Sequence, residues 1–269
     1  MKKSKVMWLC EGAIMVAAAT VLSMIAIINM PYGGSVTAVS MLPIIIFAYR
    51  YGFLKGITVG LAYAVIQLLL GVSNLSYATT FTAAVAIIML DYIVAFTVLG
   101  LVGLCPKGKI SQSLEISVAT IAVCILRYIC HVITGCTVWA GVSIPTKDGL
   151  IYSLGYNAAY MIPETVITLA AVWYLARVIN LRTEMPTRLK REEGTSIGLF
   201  GALSLLLIVA TVVFDAVMVF FSIQTEKGYD ITAIKNIDLK TTVIVTVVGV
   251  ILAIVSAIIS KARAKSLKN

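Results

Sequence analysis

Eight apolar stretches constrain this chain more than anything else in it. They run over residues 7–28, 38–50, 53–71, 79–104, 112–136, 151–176, 196–222 and 241–260. A helix needs about 20 apolar residues to cross the hydrocarbon of a bilayer. All but the second stretch reach or approach that length. The second is tilted, partial, or continuous with the third through a bend at Arg50-Tyr51-Gly52. Of the 269 residues, 60% are hydrophobic and 12% charged, and the mean hydropathy is +1.02. An ordinary soluble domain carries about 45–50% apolar and about 25% charged residues. A soluble core cannot hide so much apolar surface, and a disordered chain would not carry it. The expected fold is an all-α integral membrane protein, because a helix satisfies its backbone polar groups internally in lipid.

Charge then sets topology. A net charge of +9 on a soluble domain would suggest nucleic acid. Here the basic residues lie between apolar stretches, which makes them determinants of orientation, with no nucleic-acid partner expected. If all eight stretches cross and the N-terminus is cytoplasmic, 16 of the 21 Lys and Arg fall on the cytoplasmic side. Four fall outside, and Arg127 lies within the fifth stretch. That bias predicts cytoplasmic N- and C-termini in a multi-pass protein of the plasma membrane. Lys2, Lys3 and Lys5 precede an apolar run too long for a cleavable signal, so the first stretch is expected to stay as a transmembrane helix.

A charged run at 181–195, with Arg182, Glu184, Arg188, Lys190, Arg191, Glu192 and Glu193, reads as a cytoplasmic linker. It divides a six-helix domain, 1–180, from a two-helix transmembrane hairpin, 196–269, whose role the sequence leaves open. The segments 29–37 and 71–78 carry no charge, as suits outer loops that fold over a ligand.

Enzymatic chemistry finds little support. HExxH, GxSxG and Walker A motifs are absent, as is a GxGxxG after a strand. Five cysteines without a CxxC pair and a single histidine suggest neither a disulfide framework nor a metal site. No catalytic residue, metal or cofactor is therefore expected, and any ATP-driven step requires another protein.

Ionisable groups within a bilayer are costly and mark functional positions. Glu11 and Glu115 stand near helix ends and read as interfacial anchors. Asp91, Arg127, His131 and Glu164 lie deeper, in the fourth, fifth and sixth stretches. Arg127 and His131, four residues apart, share a helix face. Asn157, Tyr160, Met161 and Glu164 form another, with Tyr152 and Tyr156 above it. Two readings stay open: an internal ion pair of Arg127 with Asp91 or Glu164, or a site for a small organic cation among aromatic faces. Small residues recur at Gly52, Gly56 and Gly60 and at Gly12, Ala13 and Ala17. Each set serves close internal packing or a docking face for a membrane partner.

Several runs carry a resemblance. They are Glu11-Gly12-Ala13-Ile14, Ser40-Met41-Leu42-Pro43 and Ala48-Tyr49-Arg50-Tyr51-Gly52. Asp91-Tyr92 follows with Ala95-Phe96, then Leu99-Gly100-Leu101 with Gly103. Arg127-Tyr128 comes with His131, Gly135 and Trp139, and last Tyr152-Ser153 with Tyr156-Asn157. Over about residues 7–180 the chain resembles the thiamine-specific S component of energy-coupling factor (ECF) transporters, the YuaJ type. The resemblance implies a six-helix bundle that binds thiamine near its outer side. It also implies docking on an ECF transmembrane subunit driven by two cytoplasmic ATPase subunits. It assigns ligand contact to Asp91, Tyr92, His131, Trp139, Tyr152 and Asn157, with Arg127, Tyr156 and Glu164 behind them. Ala13 and Ala17 match the family's partner-docking alanines. In two places the sequence departs from the pattern: Asp91 stands where Glu is expected, and residues 195–269 lie outside it.

Thiamine suits these side chains. It carries a fixed thiazolium charge and an aminopyrimidine with donor and acceptor edges. A carboxylate can meet the charge, Tyr and Trp can stack on the rings, and His131 and Asn157 can read the pyrimidine edge. Two alternatives remain at this point. One is a solitary proton-coupled thiamine carrier with Asp91 or Glu164 as relay. The other is an intramembrane enzyme or assembly factor with His131 as general base.

Overall fold

The structure is a computed structural model, and it describes residues 5–30, 33–139, 147–189, 198–225 and 228–266. Its helices are α1 (Lys5–Met24), α2 (Leu42–Tyr51), α3 (Phe53–Leu70), α4 (Phe81–Leu104), α5 (Gln112–Thr134), α6 (Lys147–Val178), α7 (Leu199–Ile223) and α8 (Leu239–Ser266). All but α2 are long and apolar enough to cross a membrane. The chain is a multi-pass helical membrane protein with very little sheet, as its hydropathy predicts. It divides into two compact units, Met1–Leu169 and Ala170–Asn269.

In the first unit α2 is the pillar. Every residue from Pro43 to Arg50 is buried, so the helix is apolar all round because protein surrounds it. At 10 residues it reaches only about 15 Å, and a partial span is the outcome among those the sequence left open. Gly52, at φ +86°, ends α2 and starts α3. The two are separate packed helices and not one bent rod. A β-branched or bulky residue would be strained at that φ.

The close-packing glycines of α3 face inward. A Cβ on Gly56 would lie 2.7 Å from the Gly100 carbonyl oxygen of α4, and one on Gly60 would lie 3.1 Å from that of Thr97. Internal packing, and not partner docking, accounts for these two positions. On α1, Gly12, Val16 and Ala19 are buried, and Gly12 abuts Val59 and Phe47. Ala13 and Ala17 point the other way and are exposed.

Both interfacial carboxylates have specific partners. Glu11 takes a two-point ion pair from Arg50, Nε–Oε1 2.6 Å and Nη2–Oε2 3.1 Å, and a hydrogen bond from the Tyr51 hydroxyl at 2.6 Å. Glu115 accepts from the backbone N–H groups of Gly108, Lys109 and Ile110 and from the Tyr49 hydroxyl. The loop between α4 and α5 is thereby folded onto the first turn of α5, where a carboxylate also suits the helix dipole.

The structure corrects the first apolar stretch. α1 ends at Met24, and Ala26–Asn29 forms a strand, β1, antiparallel to β2 (Ser35–Thr37). Ile25, Ile27 and Ile28 are β-branched, and a pairing partner lies a few residues on, so hydropathy alone misassigns them as helix. Two helices also depart from α geometry. Ile87–Val94 of α4 is π-helical, and Gly135–Trp139 continues α5 as a π turn.

In the second unit α7 and α8 pack antiparallel along a seam of small and hydroxyl residues. The Ser204 hydroxyl donates to the Ala253 carbonyl at 2.8 Å, Thr211 packs on Gly249, and the Thr246 hydroxyl donates to Asp215 at 2.7 Å. Asp215, inside α7, is held by an interhelical hydrogen bond of the kind that joins helices in lipid.

Candidate functional site

A cavity of about 780 Å³ lies within the first unit, beneath the β1–β2 hairpin and between α3, α4, α5 and α6. That volume is in the range of small-molecule sites, about 300–1,000 Å³. Each wall owes its polar group to a local feature. The π segment of α4 holds Asp91 and Tyr92. Extra residues per turn shift the helix face, and such bulges recur at functional sites. The Tyr92 hydroxyl donates to the Gly71 carbonyl at 3.0 Å and accepts from Asn74 Nδ2 at 2.9 Å. This fixes its ring under the turn at Val72–Tyr77.

Asp91 pairs with His131. The Asp91 Oδ1 to His131 Nδ1 distance is 2.9 Å. A carboxylate accepts, so Nδ1 carries a proton here. Nε2 is buried and has no hydrogen-bond partner among the described residues. Arg127 pairs instead with Glu164, Nη1–Oε2 3.3 Å, and its guanidinium lies 4.4 Å from the Phe96 ring centroid. Of the two ion pairs the sequence left open for Arg127, the structure forms the one with Glu164.

The α6 wall is a hydrogen-bonded set. Asn157 Nδ2 donates to the Ser153 carbonyl at 2.9 Å and approaches the His131 carbonyl at 3.3 Å, and Asn157 Oδ1 accepts from the Tyr160 hydroxyl at 2.8 Å. The Ser153 hydroxyl donates to the Val132 carbonyl at 2.9 Å, so α5 and α6 are tied together here. Gly135 allows this approach, since a Cβ there would run into Ser153. Above it rise Tyr152 and Tyr156, stacked with centroids 6.1 Å apart, and Tyr160, edge-on to Tyr156 at 5.9 Å.

The structure thus brings together Asp91, Tyr92, His131, Tyr152 and Asn157, with Arg127 and Tyr156, on one cavity. Glu164 stands behind Arg127 and does not line it. Trp139 closes the π turn, and its side chain lies outside the described residues. Asn74 and Gln67 line the cavity too and carry no signal in the sequence beyond, for Asn74, its place in an uncharged loop. Among the described residues, and apart from tyrosines, the ionisable groups on the wall are Asp91, Arg127 and His131. Glu164 offsets Arg127.

Fold and site together define a multi-pass membrane protein that holds a small-molecule cavity among its helices. The chain belongs to the family of thiamine transporter proteins (Thia_YuaJ), which matches residues 9–182. This bears out the resemblance read from the sequence, and the family is one of transporters, not enzymes. The chain is 36% identical over 170 residues to the thiamine transporter ThiT of Bacillus subtilis (strain 168), a match that covers 59% of this chain and 84% of that one. Its fold is similar to that of ThiT from Listeria monocytogenes, with a TM-score of 0.51 and 22% identity over 64% of this chain and 94% of the other. α7 and α8 lie beyond the family match.

Proposed function

We propose that this chain takes up thiamine by binding it in the cavity of the first unit, as the substrate-binding subunit of an ECF-type transporter. The observation that carries the reading is the Asp91 carboxylate, paired with His131 at 2.9 Å, on a wall that also holds Tyr152, Tyr156, Tyr160 and Asn157. A fixed organic cation is the ligand such a wall favours, through Coulomb attraction in a low-dielectric site and through the faces of Tyr152, Tyr156 and Tyr160. His131 Nε2, buried without a hydrogen-bond partner among the described residues, suits a polar edge of the pyrimidine. Asn157, with Tyr92 and Trp139, completes the reading of the pyrimidine. Ala13 and Ala17, exposed on α1 opposite its buried face, suit close contact with an ECF transmembrane subunit that two cytoplasmic ATPase subunits drive.

The test is a thiamine titration of the purified protein by intrinsic tryptophan fluorescence, followed by uptake in proteoliposomes. Saturable binding, with uptake only when the membrane subunit and both ATPases are present, is the expected result. Uptake driven by a proton gradient without them would assign the chain to solitary carriers.

A further inference from the structure

The ion pair behind the cavity does more than neutralise itself. Glu164 is 1% exposed. Its Oε1 accepts from the Thr37 hydroxyl at 2.7 Å, and Ser40 Oγ lies 2.7 Å from Thr37 Oγ1 and 3.4 Å from the same carboxylate oxygen. Its other oxygen meets Arg127 Nη1, which also lies 3.0 Å from Met41 Sδ. Thr37 ends β2 and Met41 precedes α2. One buried pair, drawn from α5 and α6, therefore grips the whole connection between hairpin and pillar.

That connection is also strained. Val39 has φ +59°, in the left-handed region that β-branched side chains avoid. Such a backbone persists only where its surroundings over-determine it, and the hydrogen bonds on either side of Val39 do so. The Gly34 N–H reaches the Tyr156 hydroxyl at 3.3 Å, and Gly33 sits against Asn74 too closely for a Cβ. Gly33, Gly34 and Ser35 all line the cavity.

We propose that Glu164 is a positioning residue for ligand retention: with Arg127 it anchors Thr37–Met41 and so keeps the hairpin seated on the cavity, without touching the ligand. This rests on the reading that the cavity binds thiamine. A ligand under the hairpin leaves when the hairpin lifts. Loss of the grip at the base should therefore appear in the release rate and spare the entry rate, as is usual when contacts that hold a closed complex are removed.

Removing the Glu164 carboxylate outright would strand Arg127 inside the bundle and endanger the fold, so the decisive variant is Thr37→Val. It keeps the side-chain shape and deletes the donor. In the full-length protein, stopped-flow tryptophan fluorescence with thiamine should show release faster by about tenfold or more, the usual weight of a buried hydrogen bond to a charged group. Association should stay within about twofold. Thr37→Ser should restore slow release, and Glu164→Gln should speed it. Amide exchange at residues 33–36 should rise in ligand-free Thr37→Val. Unchanged release and unchanged exchange in a folded Thr37→Val protein would overturn the inference. If the wild-type protein gives no response to thiamine, the functional reading falls, while the exchange comparison still decides whether the grip holds the hairpin.

Discussion

Residue by residue, the side chain that matters most is Asp91. Its carboxylate lies against His131 Nδ1 at 2.9 Å. The two side chains act as a couple on the cavity wall: Asp91 supplies the carboxylate and orients the His131 ring. Asp91→Asn should weaken thiamine binding by about 30-fold to several-thousand-fold, the cost of breaking a buried charge pair. An analogue whose thiazolium is replaced by an uncharged ring should lose far less. Isothermal titration of both ligands against both proteins checks this, and equal losses would mean that Asp91 serves only to orient His131. Because Arg127 belongs to Glu164, the substitution does not unpair the guanidinium, and a folded variant is expected.

For the helices, small residues separate into two roles that look alike in sequence. Gly56 and Gly60 are consumed by the α3–α4 contact, where backbone meets backbone. Ala13 and Ala17 remain on the outer side of α1. Ala17→Trp should leave thiamine affinity near wild type and abolish uptake in proteoliposomes with the partner subunits, since a bulky side chain holds a partner helix off. Loss of binding and uptake together would place Ala17 in the bundle's own packing. The π segments at Ile87–Val94 and Gly135–Trp139 belong to this scale as well. No residue within them announces an extra residue per turn, because that geometry results from packing against neighbours.

Across the whole molecule, two expectations concern topology. Among the described residues, all that line the cavity lie between Ser23 and Tyr160. A chain ending at Arg191 should therefore still bind thiamine in a fluorescence titration, with affinity within about threefold of the full protein, a shift of under about 1 kcal/mol. Loss of binding in a folded truncated protein would assign α7 and α8 to the site. The Lys and Arg bias predicts that the α4–α5 loop is cytoplasmic and that the turn at Val72–Tyr77 is outside. In a background without native cysteines, a membrane-impermeant thiol reagent added to intact cells should label Ser73→Cys and spare Lys109→Cys. The reverse pattern would invert the protein in the membrane.

Hydropathy alone determined the class, the helix count and most helix bounds, because the cost of exposing polar backbone to lipid leaves a 20-residue apolar stretch almost no alternative. The intramembrane ionisable residues likewise marked the site: Asp91, Arg127 and His131 all line its wall. What the sequence could not decide was partnership. Arg127 had two candidate carboxylates at similar depth, and only the packing of α5 on α6 brings Glu164 and not Asp91 to it. The same holds for β1, whose isoleucines are apolar enough for a helix and become a strand because β2 is there to pair with. It holds for Asn74, which has no periodic or charge signal and enters the cavity wall through its bond to Tyr92. Burial energy is local and additive along a chain, so composition reveals it. Ion pairs, strand pairing and helix register depend on which distant segment arrives alongside, and that is fixed only when the chain has folded.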